Sequence, residues 1–160
     1  MLYFSGQSMY AERMNRKKPS HVEIRKTQYN KTKSCKALYV DGKKFEVRGI
    51  NYSPVFNGTD INEWPYGDMV LDRYYEIFES HIQIISRLFN TVRLYNTLLE
   101  YDHTGFLDVC HKYGVKVILT FPMDAVHYPD LDNNPEEVLI NWRHLLRLYK
   151  GHPALLMWAM

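Results

Sequence analysis

The apolar positions of this chain fall into stretches of different period, and the periods predict its elements. Leu71, Tyr75, Phe78, Ile82, Ile85 and Phe89 recur three or four residues apart, so residues 71–89 read as a helix with one buried face. A second helix is predicted over residues 104–113, with Phe106, Val109, Cys110 and Tyr113 inward and Gly114 as a left-handed stop. A third opens at Asn134-Pro135-Glu136-Glu137, which offers a cap, a proline at the first helical position and two acids near the positive end of the helix dipole. Val138, Trp142, Leu145 and Tyr149 form its apolar face, and Gly151 with His152-Pro153 ends it.

Between the helices the pattern changes to that of strands. Residues 48–52 and 91–95 are short and rich in β-branched or aromatic positions, and residues 115–121 and 154–160 are almost unbroken apolar runs, as in strands covered on both faces. Ahead of them, residues 36–40 and 43–47 flank Asp41-Gly42, a pair suited to a type I′ turn because both central residues need positive φ. A long loop marked by Pro54, Gly58, Pro65 and Gly67 joins the first strand to the first helix, and another with Pro122, His127 and Pro129 precedes the third. Strand and helix alternate, and right-handed crossovers then make the sheet parallel. Doubly wound sheets and barrels both begin this way. Gly49 is alone in its stretch and neither G-x-G-x-x-G nor a Walker pattern occurs, which favours a barrel.

Composition narrows the class without naming a function. At 46% hydrophobic and 24% charged residues in 160, the chain is globular rather than disordered or collagenous. A domain of this size buries roughly 70% of its unfolded surface, enough for a core without disulfides or a structural metal. Cys35 and Cys110 supply no disulfide framework. Aromatic content of 14%, led by thirteen tyrosines, suits clefts that meet flat polar ligands and equally suits a dense core.

Charge marks a boundary. Residues 1–36 hold nine Lys and Arg against two Glu, a net of +7, and residues 37–160 hold eleven against sixteen acids, a net of −5. Residues 1–35 are therefore assigned to a basic, poorly ordered leader, because no helical periodicity or aromatic interleaving organises the charges; an arm for nucleic acid or an anionic membrane is the less favoured alternative. No signal peptide is visible, which makes a cytoplasmic location the default. The longest apolar runs, residues 115–123 and 154–160, are far below the ~20 residues of a membrane span. Three glycosylation triplets, at Asn30, Asn51 and Asn57, carry weight only in a secreted protein.

In parallel α/β folds ligands bind beyond the carboxyl ends of the strands. The residues there are Asn51, Tyr52 and Ser53; Arg93, Tyr95 and Asn96; Thr120, Phe121 and Asp124; and Trp158 to Met160 at the last strand. Tyrosines and an asparagine beside an arginine suit a sugar or carboxylate site, and an arginine paired to a neighbouring acid is an equal reading. Asp124, Asp130 and Asp132 read as a solvated acidic loop. The seven histidines show no metal-binding spacing, so no metal and no cofactor is expected, and His111 beside Cys110 points away from it on a helix.

Four strings resemble a known family. Asp41-Gly42-Lys43-Lys44-Phe45-Glu46-Val47-Arg48-Gly49-Ile50-Asn51-Tyr52 resembles the "NGKPFxxRGVNY" start of the catalytic barrel in clan A glycoside hydrolases, particularly glycoside hydrolase family 2 and the fungal β-1,3-glucanosyltransferases. Asn90-Thr91-Val92-Arg93-Leu94-Tyr95 resembles their second strand, Lys112-Tyr113-Gly114-Val115-Lys116-Val117-Ile118 the third, and His152-Pro153-Ala154-Leu155-Leu156-Met157-Trp158-Ala159-Met160 the fourth. The four stand in the family's order and cover residues 36–160.

The resemblance implies an α/β fold: strands 1 to 4, the amino-terminal half, of a (β/α)8 TIM barrel, preceded by a β-hairpin and the leader. A full barrel takes about 250 residues. It also implies a retaining hydrolase or transglycosylase of β-linked oligo- or polysaccharides, with two glutamates ~5 Å apart, an acid/base and a nucleophile. By resemblance Arg93 orients the nucleophile, and Asn51, Tyr52, Tyr95, Asn96 and Trp158 line the sugar pocket. The family's Asn-Glu pair would fall just past Met160, and its nucleophile lies on a seventh strand, so neither glutamate is among these residues and the 160-residue chain is expected to be inactive alone. Phe89 also stands where the family usually has glycine. A non-catalytic glycan-binding module, self-associating through an exposed strand edge, is the alternative; nucleic acid is a disfavoured partner.

Overall fold

The computed structural model describes residues 18–28, 30–55, 57–58, 60, 62–63, 67–123, 128 and 131–160. Strands β1 (Val22–Gln28), β2 (Ser34–Val40) and β3 (Lys43–Lys44) form an antiparallel sheet in that order. The turn between β2 and β3 is the expected one, with Asp41 at φ 50° and Gly42 at φ 78°. Its second arm is shorter than residues 43–47: after Lys44 only the Phe45 N–H reaches back, to the Leu38 carbonyl at 2.8 Å, before the chain turns towards the main sheet. Strand β1 corrects the reading of residues 1–35 as unstructured for the segment it occupies. Charge hides its alternation, but β2 offers it a partner at every position, from Val22 opposite Val40 to Gln28 opposite Ser34. Residues 1–17 of the leader lie outside the described residues.

The main unit alternates as the periodicity predicts. Strand β4 (Gly49–Tyr52) leads through a 3-10 turn (Asp72–Tyr74) into α1 (Tyr75–Ile85); β5 (Thr91–Leu94), α2 (Thr104–Lys112), β6 (Lys116–Thr120), α3 (Pro135–Tyr149) and β7 (Leu155–Ala159) follow. The four strands form one parallel sheet ordered β4-β5-β6-β7, so the fold is mixed α/β. Gly114 sits at φ 71° and stops α2 as expected, whereas α3 ends at Lys150 in ordinary helical geometry, without a left-handed glycine. Asn134 starts α3 but makes no side-chain bond to the helix backbone; its amide donates to Glu137 Oε2 at 3.3 Å.

The helices lie on one side of the sheet. Val92 and Leu94, Val117 and Leu119, and Leu155 form rows on that side and are buried against Phe78, Ile82, Phe106, Val109 and Leu145. Burying such side chains contributes roughly 1.5–3 kcal/mol each. Ile50, on the edge strand, is the exception at 38% exposed.

The two sheets are joined at the amino ends of the parallel strands. The Asn90 amide donates to the Glu46 carbonyl at 2.8 Å, and its oxygen accepts from Arg48 N–H at 2.9 Å and Thr91 Oγ1 at 3.0 Å. Lys116 Nζ donates to Ser20 Oγ at 2.6 Å and to the Pro153 carbonyl at 2.7 Å, which ties the chain before β1 to the last crossover. Burial lowers the Lys116 ammonium below the usual lysine range, with Asp41 partly opposing.

Candidate functional site

Strand register decides which strand-end residues meet. Asn51 pairs with Arg93, Arg93 with Ile118, and Ile118 with Met157, so these four form one row across the sheet on the side away from the helices. Thr120 and Ala159 continue that face towards the carboxyl ends. Asn51 is exposed, Arg93 and Ile118 are half-buried, and Met157 is partly open.

Arg93 is the central charged group of this face. Its Nε donates to Thr120 Oγ1 at 2.9 Å, and its guanidinium carbon lies 5.2 Å from the centre of the Tyr95 ring, over which it stacks. Among the described residues no carboxylate forms an ion pair with it, so the paired-arginine reading has no support there. One N–H is used to fix the fork, and the rest of the planar donor set has no hydrogen-bond partner among the described residues. Tyr95 is 51% exposed and Asn96 half-buried, in the loop that follows β5.

Tyr52 and Trp158 face the other way. The Tyr52 ring stacks on Phe106 at 5.6 Å and 3° and meets His81 edge-on; its hydroxyl lies 3.0 Å from His81 Nδ1. Burial raises the Tyr52 hydroxyl above the ordinary tyrosine range, so it is neutral and serves as a hydrogen-bonding end on a core ring. Trp158 packs edge-on against Trp142 of α3 at 5.2 Å. A bulge accounts for its direction. Val117 pairs with Leu155 but Ile118 pairs with Met157, so Leu156 is the extra residue, and every position after it changes face. Asn51, Arg93, Tyr95 and Asn96 are thus on or beside the open face, while Tyr52 and Trp158 brace the strands from behind.

A buried polar cluster that no sequence spacing announces holds the loops at this end. His103 Nε2 lies 2.8 and 2.9 Å from the two Asp68 oxygens; a carboxylate offers only acceptors, so Nε2 carries the hydrogen. Asp68 also accepts the Leu98 N–H at 2.6 Å, and the Tyr149 hydroxyl accepts the His103 N–H at 3.0 Å. Asp68 and His103 are fully buried and Tyr149 nearly so. The cluster ties the loop after β4 and the loop after β5 to the end of α3. A similar device follows α3, where His152 Nδ1 accepts the Ala154 N–H at 3.1 Å and Nε2 therefore donates to Asp108 of α2 at 2.9 Å. The partners are 35 to 46 residues apart, which is why only the fold reveals them.

Ser53 Oγ and Thr97 Oγ1, just beyond β4 and β5, are buried and have no hydrogen-bond partner among the described residues. Of the acidic loop, Asp124 and Asp130 lie outside the described residues and Asp132 is exposed. Among the described residues no group of three or more His, Cys, Asp or Glu could hold a metal ion, and no helix is long and apolar enough to cross a membrane. Burial pushes the Cys110 thiol well above its usual range, consistent with a core residue.

No protein-family profile matches this chain, and no curated protein matches it significantly. Solved structures do. An exo-chitosanase from Amycolatopsis orientalis superposes with a TM-score of 0.50 over 86% of this chain at 16% identity. A family 39 glycoside hydrolase from the gut symbiont Bacteroides cellulosilyticus covers 89% of it at 12% identity and a TM-score of 0.38. The chain spans 15% of the length of the first and 32% of the second. The superposition on the chitosanase shows that this chain shares part of that structure's fold.

Proposed function

We propose that residues 36–160 are strands 1 to 4 of a TIM-barrel glycoside hydrolase domain of the clan A type, and that the open face of the parallel sheet is one wall of a site for a β-linked oligo- or polysaccharide. The observation that carries this reading is Arg93. It is half-buried, fixed by Thr120 and Tyr95, centred in a row with Asn51, and without an acidic partner among the described residues. An arginine so held is built for a carboxylate that arrives from elsewhere, and in retaining glycosidases that group is the nucleophile, which a neighbouring cation keeps ionised. The buried, unpartnered hydroxyls of Ser53 and Thr97 at the same end of the sheet add to it, since such groups ordinarily have a partner.

In this role Arg93 orients the nucleophile when one is present and, together with Asn51, Tyr95 and Asn96, binds sugar hydroxyls. Tyr52 and Trp158 act behind them, setting the strand ends through Phe106, His81 and Trp142. Hydrolysis or transfer by the retaining route needs an acid/base and a nucleophile, and this set supplies neither, so the 160-residue chain binds without turnover.

The test is calorimetric titration of the full chain with neutral β-linked oligosaccharides, together with a hydrolysis assay. We expect binding, no turnover, and an affinity loss of tenfold or more, about 1.4 kcal/mol, in Arg93→Met. Turnover by the chain, or unchanged affinity in Arg93→Met, would overturn the proposal.

A further inference from the structure

The antiparallel ribbon carries chemistry that the sheet site does not use. Residues 18–44 hold seven Lys and one Arg against Glu23 and Asp41, a net of +6, whereas residues 45–160 hold nine basic against fifteen acidic residues, a net of −6. Both acids of the ribbon are engaged. Glu23 pairs with Arg25, whose hydrogen bond holds the carboxyl below its ordinary range, and Asp41 accepts the His21 N–H at 2.8 Å. The distal lysines, Lys26, Lys31, Lys33 and Lys36, have no carboxylate partner among the described residues.

Their placement is ordered. The β1–β2 register sets Lys26 directly opposite Lys36 on one face, with Cβ atoms about 5 Å apart, an arrangement that is unfavourable without an anion. Lys31 and Lys33 stand in a turn organised by Asn30, whose Oδ1 accepts from Thr32 N–H at 3.0 Å, Thr32 Oγ1 at 3.1 Å and Lys33 N–H at 2.8 Å. On the Lys26 face, one step towards the body, Ile24 is 68% exposed beside Leu38.

We infer that the distal ribbon is an anchor for an acidic polysaccharide, in which Lys26, Lys31, Lys33 and Lys36 meet sugar carboxylates and Ile24 meets the apolar face of a ring. Three observations favour such a chain over a nucleic acid. All four cations are lysines, compact point charges suited to separate carboxylates rather than the bidentate forks that arginine offers to phosphates. Among the described residues of the ribbon the tyrosine is Tyr39, which lies on the other face and is already covered by Arg25 at 4.5 Å. The body behind the ribbon is acidic, and it repels a duplex carrying one charge per ~1.7 Å more than a sparsely charged glycan. The choice of a glycan rests on the proposed function. The ribbon lies at the amino ends of the parallel strands and the Arg93 face at their carboxyl ends, so one polymer could be held at both.

The experiment titrates the full chain with polygalacturonate, following the change in mobility of a labelled protein. We expect binding that weakens steeply between about 50 and 200 mM salt. In the triple variant Lys26→Gln, Lys33→Gln, Lys36→Gln it should fall at least tenfold, with an unchanged or higher melting temperature because the repulsion is gone. Lys150→Gln, an exposed lysine of the body, should bind as wild type. Absent binding, salt-insensitive binding, or equal binding by the triple variant would overturn the inference. Tighter binding to a duplex of about 20 base pairs, or to phosphatidylserine vesicles, would also overturn it, assigning the ribbon to nucleic acid or membrane instead. Neutral glycans report on Arg93 and polygalacturonate on the ribbon, so either reading can fail alone.

Discussion

The two faces of the parallel sheet are built from the same strands and do different work. On the helix side every second residue of β5 and β6 is apolar and fully buried, and the polar groups that do enter, Asp68, His103 and His152, come with their hydrogen bonds made. On the open side the alternate residues are Asn51, Arg93, Ile118, Thr120 and Met157, half-buried or exposed apart from the buried Thr120, and Arg93 has donors without a partner among the described residues. Close packing resides on one side of each strand and the open, more polar positions on the other, one residue apart. Substitutions at adjacent positions should therefore separate the two.

The sharpest such pair is Leu119 and Ile118. Leu119→Ala opens a cavity in a fully buried layer and should cost about 2–5 kcal/mol in chemical denaturation. Ile118→Ala, on the half-buried open face, should cost less than half as much and should leave helix content unchanged. Equal losses would mean that the open face is as tightly packed as the helix side, and the comparison would collapse.

The buried triad offers the next largest effect. Asp68→Asn keeps the shape but presents an amide where His103 Nε2–H and the Leu98 N–H need an acceptor, leaving one of them unmatched at a cost of about 1–3 kcal/mol. Because Asp68 anchors the loop carrying Tyr95 and Asn96, amide exchange in residues 95–103 should accelerate more than in β5 itself. Uniform acceleration throughout the sheet would show that the triad supports the fold globally rather than those loops.

How far these faces were legible from the sequence differs in the same way. The helix side was legible: a period of three and four in α1 and the apolar run through β6 are consequences of burial, and burial leaves its mark on composition. Strand and helix bounds follow the predicted ones to within a few residues, apart from the start and end of α1. The open side was legible only as strand ends, where the carboxyl-end rule for parallel sheets singled out Asn51, Arg93 and Thr120 together with residues that face the helices. Trp158 stands at a strand end in the sequence, but one bulge, invisible in a run such as Leu155-Leu156-Met157, turns it to the helices. Asp68, His103 and Tyr149 escaped because tertiary pairing across 35 and 46 residues leaves no local period. Strand β1 escaped for a related cause: Lys26 and Arg25 read as solvated charge, and only the β2 ladder makes them a strand.

Acid tests the ribbon, where neither face's logic applies. The backbone bond from His21 holds the Asp41 carboxyl below its ordinary range. A carboxyl depressed in the folded state adds stability that is complete above the unfolded pKa near 4 and is lost as pH falls through the folded value. Asp41→Asn keeps both an acceptor for His21 and a residue that tolerates φ 50°. The wild type should therefore lose more stability than Asp41→Asn between pH 5 and pH 2.5, by about a few tenths of a kcal/mol at so exposed a site. Parallel curves would show that Asp41 acts through turn geometry alone.

An effect that nearly cancels belongs to a place where the open face is closed. Lys116 has the parity of Ile118 and Thr120, yet at the amino end of β6 its ammonium is covered by Ser20 and the Pro153 carbonyl, and burial lowers its pKa. A base depressed in the folded state penalises folding while it is charged, so its contribution improves as pH rises through its folded pKa towards 10.5. Ser20 Oγ already donates to the Pro153 carbonyl at 2.9 Å, so Lys116→Met leaves that acceptor satisfied and removes a partly desolvated charge. The two changes nearly cancel at neutral pH, giving about 1 kcal/mol or less in either direction. What should differ is the slope: wild-type stability should gain on that of Lys116→Met as pH rises towards 10.5 and the native ammonium releases its proton before the unfolded one does. A loss above about 2 kcal/mol at neutral pH would instead make Lys116 a hydrogen-bonded clasp on which this end of the sheet depends, and the open face would then be open only at its carboxyl end.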